Sequence, residues 1–209
     1  MSTVLTISAS YGAGGSWVGP EVAERLGWRF VDRAIPVQVA ERLAVPVEHA
    51  HTHDEAAAPR FTRLLARLPN TSGVVVPEAT SPEFCRETER LLIEAADAGD
   101  VVVLGRAGAI VLRDRPGAFH VRLDGPAEAR VFQATRVEEI EEDEARRRQR
   151  NSDRARMEYV KHFYRCDPRE PRHYHMVLDS TAVPLPTCVE LIVTAARAHG
   201  STGAGTARG

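Results

Sequence analysis

The 209 residues carry almost no net charge, formally −2. No global field therefore draws the chain to nucleic acid or an anionic membrane, and any anion it binds must be held by a local arrangement. Cysteine is scarce: Cys85, Cys166 and Cys188 are an odd number, far apart and without a CxxC pair. That excludes a disulfide framework and suits ordinary small apolar residues in a reducing cytosol. Long apolar runs are missing too, since no window approaches the roughly 18 residues of a membrane span and no basic segment leads into an apolar core at the start. No internal repeat is present. These absences predict a cytoplasmic protein that engages neither a nucleic acid polymer nor a membrane, and they leave its oligomeric state open.

What is present suffices for one compact domain over residues 1–200, with 43% hydrophobic and 27% charged residues and a disordered tail at 201–209. Val4 to Ser8 reads as a buried strand, followed by a glycine-rich turn and by Val18, Val22, Ala23 and Leu26 at helical spacing, closed by Gly27. Arg29 to Val31 is a second strand ending at Asp32, and Ile35, Val39, Ala40 and Leu43 mark another helix. From 49 to 82 the pattern loosens around prolines 59, 69, 77 and 82, as in a variable insertion with one possible helix at 61–68. Order returns with Phe84, Leu91, Leu92, Ala95 and Ala96 on one helix face, then Val101 to Leu104 as an unbroken apolar strand of the kind a parallel sheet buries on both faces. Phe119 to Leu123 and Met176 to Leu178 are further strands. The charged stretch 126–165 reads as lid-type helices, and Cys188, Leu191, Ile192 and Ala195 form a last one. Such alternation predicts an α/β fold, a doubly wound parallel sheet with helices on both faces, whose ligand site lies beyond the carboxyl ends of the strands.

The turn after the first strand bears on chemistry. A phosphate loop GxxxxGK followed by Ser or Thr works because glycines let backbone N–H groups point inward, the next helix adds its positive end, the lysine reaches the outer phosphates and the hydroxyl holds Mg²⁺. The matching frame here is Ala9-Ser10-Tyr11-Gly12-Ala13-Gly14-Gly15-Ser16, with alanine for the first glycine and glycine for the lysine. Strand, three glycines in four residues and helix still make an anion-binding nest. A glycine turn with no ligand is the other reading of the same residues.

With YGAGG, AERLGWRFVDR, VVVLGR, SDRARMEY and VLDST in this order, the sequence resembles the cytidylate kinase-like family of the P-loop nucleoside monophosphate kinases. The resemblance runs from about residue 3 to residue 197 and is weakest over 49–82. It implies ATP as phosphoryl donor, Mg²⁺ as cofactor, and a nucleoside monophosphate, CMP or dCMP, as acceptor. Members of this family commonly carry a YGSGG-type loop, so Gly15 departs from true cytidylate kinases and not from the nearer group. Trp17 stands where true cytidylate kinases place a metal-binding hydroxyl, and Ala107 where they place an aspartate that reads cytosine.

On this resemblance Gly12, Ala13, Gly14, Gly15 and Ser16 cradle the donor phosphates, and Ser16 supplies the Mg²⁺ hydroxyl. Arg106, just beyond the apolar strand 101–104, contacts the acceptor phosphate; a carboxylate-paired helix cap is the alternative. Arg150, Arg154 and Arg156 close as a lid with Asp153 orienting one of them, Arg150 reaching the acceptor, unless the cluster is simply a solvated helix face balanced by the acidic run 138–144. The lid arginines are the expected replacement for the missing lysine, since a guanidinium binds phosphate bidentately. Asp32 orients the acceptor or positions metal-bound water and Arg33 holds acceptor phosphate, unless either is simply a helix-start residue. Ser180 and Thr181 either line the base or cap the last helix. His49, His51, His53 and Asp54 fit no zinc pattern, and His173 and His175 read as surface residues. Three functions remain open: kinase of a nucleoside monophosphate, kinase of another small metabolite, or a nucleotide-binding regulatory protein without transfer.

Overall fold

The computed structural model describes residues 3–32, 82–105 and 107–205. Its strands are β1 (Val4–Ala9), β2 (Arg29–Asp32), β3 (Val101–Leu104), β4 (Ala118–Asp124) and β5 (Met176–Asp179). All pair in parallel, in the order β2-β3-β1-β4-β5. The helices are α1 (Gly15–Leu26), α2 (Pro82–Asp97), α3 (Gly108–Val111), α4 (Ala127–Glu138), α5 (Glu142–Tyr164) and α6 (Leu185–Gly205), with a 3-10 turn at Pro171–His173. β1 lies centrally, between β3 and β4. Connections leave it in one direction toward β2 and β3 and later in the other toward β4 and β5, so the loop at its carboxyl end occupies the switch point of the sheet.

The unbroken apolar strands follow from burial on both faces. Leu5 and Ile7 pack with Val18 and Val22 of α1 and with Val189 and Ile192 of α6. Val4, Val101 and Val103 turn the other way, onto Leu92 and Ala96 of α2 and Leu112. Fully burying each such side chain stabilises the fold by about 2 kcal/mol. α1 stops at Gly27, whose left-handed φ of 69° returns its N–H to the carbonyls of Ala23 and Glu24. That conformation is one glycine adopts at little cost.

The doubly wound α/β class expected from the sequence is the class observed. The charged stretch after residue 126 divides into α4 and α5 because Glu139 takes a left-handed φ of 54°, which turns the chain back so that the two helices pack together. α6 runs to Gly205, five residues into the stretch expected to be a tail. The helices expected at 35–43 and 61–68, and the histidines at 49, 51 and 53, lie outside the described residues. None of the described helices is long and apolar enough to cross a membrane, and the three cysteines are free thiols.

Two polar residues of β1 are fully buried, and each finds a partner. Ser8 meets the Tyr174 hydroxyl at 3.4 Å, and Thr6 Oγ1 lies 2.7 Å from His120 Nδ1. The His120 N–H donates to His175 Nδ1 at 2.9 Å. The two imidazoles stack at 5.1 Å, and His199 lies 5.4 Å from His175. His175 is exposed as expected for a surface residue, yet its ring is held by these contacts. Burial, together with the His175 and His199 rings beside it, pulls His120 down to about 4 from an ordinary 6.5. The unfolded chain therefore takes the proton first. His120 contributes fully to stability above about pH 6.5, and that contribution falls by about 3 kcal/mol as pH drops to 4 and then levels off. Urea unfolding at stepped pH should trace this decline, and His120→Gln should flatten it.

Candidate functional site

The loop Ser10 to Gly14 leaves β1 and opens α1. Ala13 N–H donates to the Ser10 carbonyl at 3.1 Å, and Gly14 accepts from Trp17 and Val18 as the helix begins. Gly12 and Gly14 have φ of 75° and 72°, left-handed values that a side chain disfavours. Space also forbids one. A Cβ at Gly12 would lie 2.2 Å from the Arg130 carbonyl oxygen, and at Gly14 2.6 Å from Leu185 Cδ2. The first N–H groups of α1 have no partner within the helix and carry its positive end, so the loop is built to receive an anion.

Two helices hold the loop from above. Asp153 of α5 accepts from Tyr11 N–H at 3.0 Å and from Arg130 Nη1 at 2.8 Å. Arg130 of α4 also donates to the Tyr11 and Gly125 carbonyls, and Gln133 Nε2 donates to the Gly12 carbonyl at 2.9 Å. From α5, Arg156 Nη1 reaches the Ala9 carbonyl at 2.9 Å. Ser180, after β5, donates to the Ala13 carbonyl at 2.8 Å. Ser180 thus ties the loop to β5, while Thr181 turns to the Asp179 carboxylate. The Ala9, Tyr11, Gly12 and Ala13 carbonyls thus each accept a side-chain hydrogen bond.

Beside the loop opens a cleft of about 300 Å³, whose walls include Ser10, Arg122, Arg130, Arg154 and Arg169 with Asp124 and Asp153. Four guanidinium groups face two carboxylates in this space. Arg122 is almost fully buried and is held by Asp124, the Pro168 carbonyl and Ser10 Oγ. Burial alone would raise the Asp124 carboxyl, but hydrogen bonds from Arg122 and Ser10 outweigh it and hold the group below its ordinary range. Asp167, beside Arg169, is lowered to about 2, chiefly by that arginine. Burial pulls the Arg156 guanidinium below its ordinary value, opposed by the carboxylates of Asp153 and Asp32.

The structure brings together most of the residues singled out from the sequence. Gly12, Ala13, Gly14 and Gly15 form the cradle, and Ser16 stands exposed as the second residue of α1. Asp153 and Arg156 touch the loop, whereas Arg154 lines the cleft and pairs with Glu158 at 2.7 Å. Arg150 is exposed one turn earlier on α5 and is not among the cleft residues. Asp32 ends β2 within electrostatic reach of Arg156. Arg33 and Arg106 lie outside the described residues. Arg130, Arg122, Ser10 and Arg169 were not singled out. The overlooked signal for Arg122 was a charge inside an apolar strand. Arg130, one turn into the helix that follows that strand, carries no such signal.

Among described residues no group of three His, Cys, Asp or Glu side chains could hold a metal. Magnesium, however, takes few protein ligands and completes its shell with phosphate and water. Ser16 presents a hard oxygen atom suited to that role.

Arg130→Ala removes a partner from two partly buried carboxylates, Asp153 and Asp124, and frees the Tyr11 and Gly125 carbonyls. It should cost about 3 kcal/mol of stability, read by denaturant unfolding of the ligand-free protein.

Residues 4–182 match the sequence profile of the cytidylate kinase-like family. Cytidylate kinase of Methanopyrus kandleri is 29% identical over 109 residues, covering 48% of this chain and 56% of that protein. The alignment thus spans little more than half the length of that curated relative. A solved structure from Eubacterium ventriosum superposes with a TM-score of 0.65 at 14% identity, covering 93% of this chain and 98% of that one. A sugar kinase from Janibacter sp. HTCC2649 gives 0.53 at 18% identity, covering 93% and 94%. Identities this low make both structures a match of fold alone.

Proposed function

The chain belongs to the cytidylate kinase-like family, and from that premise we propose that it is a phosphotransferase that moves the γ-phosphoryl group of ATP to a nucleoside monophosphate, CMP or dCMP being the preferred acceptor. The observation that carries the reading is the glycine loop at the helix start, held under two arginine-bearing helices. In the transfer an acceptor phosphate oxygen forms a bond to the γ-phosphorus while the bond to the departing ADP oxygen breaks, and negative charge spreads over the equatorial oxygens. Positioning and cations supply most of the catalysis in such a reaction.

The roles follow from where each group sits. Backbone N–H groups of Gly12 to Ser16 cradle the donor phosphates. Arg156, together with Arg154, supplies positive charge over the loop, and Asp153 orients Arg130 against it. Arg106, Arg33 and Arg150 are assigned to the acceptor. Ser16 would hold Mg²⁺, which when bound neutralises phosphate charge, and Asp32 orients the acceptor. Lid closure by α5 excludes water, so that the phosphoryl group passes to the acceptor and not to solvent.

One observation favours a different acceptor. Ala107, which begins the turn into α3, is buried and offers no polar side-chain atom to read a base, so another small metabolite is the second reading. Purified protein with Mg-ATP should form ADP fastest with CMP or dCMP among a panel of nucleoside monophosphates, sugars and small hydroxy acids. Arg156→Ala should lower kcat by ~10²-fold and Arg154→Ala by less. Turnover with a non-nucleotide acceptor would select the second reading. Thermal stabilisation by ATP without ADP formation on any acceptor would mark a nucleotide-binding protein that does not transfer.

A further inference from the structure

The loop departs from the lysine-bearing phosphate loop at two places, Ala9 for glycine and Gly15 for lysine, and the structure sets those two residues against each other. Ala9 closes β1 and is 8% exposed; Gly15 opens α1 and is buried. A Cβ at Gly15 would lie 2.4 Å from the Cβ of Ala9 and 3.3 Å from Leu104 Cδ1. Two carbons do not approach to 2.4 Å without repulsion far larger than any contact gain. The obstructing atom is fixed to the backbone of a central strand, paired with Leu123 across the sheet, and no rotamer change can move it.

We infer that Ala9 and Gly15 are a coupled steric pair: the methyl group of Ala9 fills the space that the root of any side chain at 15 requires, and the cation absent from the loop is supplied by Arg156. The two substitutions are then one event. A lysine at 15 needs glycine at 9, and alanine at 9 needs glycine at 15. The second half rests on the phosphate-binding reading above. Arg156 Nη1 donates to the carbonyl of Ala9 itself, so the residue that bars a side chain at 15 also anchors the guanidinium that replaces it. The chain has one lysine, Lys161, exposed two turns beyond Arg154 on α5. Near the loop, therefore, the cations are arginines.

The steric half is tested without ligand. Gly15→Ala should lower Tm by about 5 °C, as overpacking a rigid site does. Ala9→Gly alone should lower it less, and the double variant should lose clearly less than the two singles added. A Gly15→Ala protein as stable as the parent, or strictly additive losses, would overturn the pairing whatever the protein's activity. The charge half is read by thermal shift with Mg-ATP. Arg156→Ala should lose most of the ATP-induced shift, and Ala9→Gly with Gly15→Lys in the Arg156→Ala background should regain it. If Arg156→Ala keeps the full shift, or the triple variant regains none, Arg156 is not the replacement. Absence of any ATP shift in the parent protein would overturn the phosphate-binding reading and the charge half together, leaving the steric pair standing on the Tm cycle.

Discussion

The Asp153 carboxylate accepts from the Tyr11 N–H on one oxygen and from Arg130 on the other, so one side chain joins the loop to both helices above it. Remove that junction and three things lose their reference at once: the loop's conformation, the placement of α4 over Gly12, and the height of α5 above the cradle. Arg156 depends on it most, because its contact with the Ala9 carbonyl requires α5 to lie close to the end of β1. The site's geometry is thus tertiary in origin. It is fixed by groups brought together from residues 9 to 16, 122 to 130 and 153 to 156.

Charge is concentrated in a chain that has almost none overall. Five guanidinium groups gathered at the loop and the cleft would repel one another, and four of them pair with carboxylates: Arg122 with Asp124, Arg130 with Asp153, Arg154 with Glu158 and Arg169 with Asp167. Arg122 is spent on structure, bound to Asp124, Ser10 and a carbonyl. Arg130 and Arg156 give hydrogen bonds to loop carbonyls while remaining beside the anion cradle. Arg154 and Arg169 stay on the exposed side, where exchange of a carboxylate partner for a phosphate costs little. The cations thus grade from fixed to movable across the cleft.

Much of this was legible in the sequence, for reasons that differ by residue. The parallel sheet was readable because Val101 to Leu104 is apolar without alternation and Val4, Leu5 and Ile7 put apolar side chains on both faces of β1, which burial on both faces accounts for. The loop was readable from its glycines and its place between strand and helix. Arg130 was not, since an arginine one turn into a charged helix looks the same whether it meets solvent or a loop carbonyl across 119 residues of chain. Nor does any local pattern record the hydrogen bond of the Ser180 hydroxyl to the Ala13 carbonyl.

Local pattern, then, determined the order of elements, the covered faces of the sheet and the position of the loop, because propensity, periodicity and glycine conformation act over a few neighbouring residues. Only the tertiary structure decided which arginines serve the loop and why no side chain fits at 15, because a guanidinium 147 residues away and the methyl of Ala9 meet the loop through packing that no local pattern records.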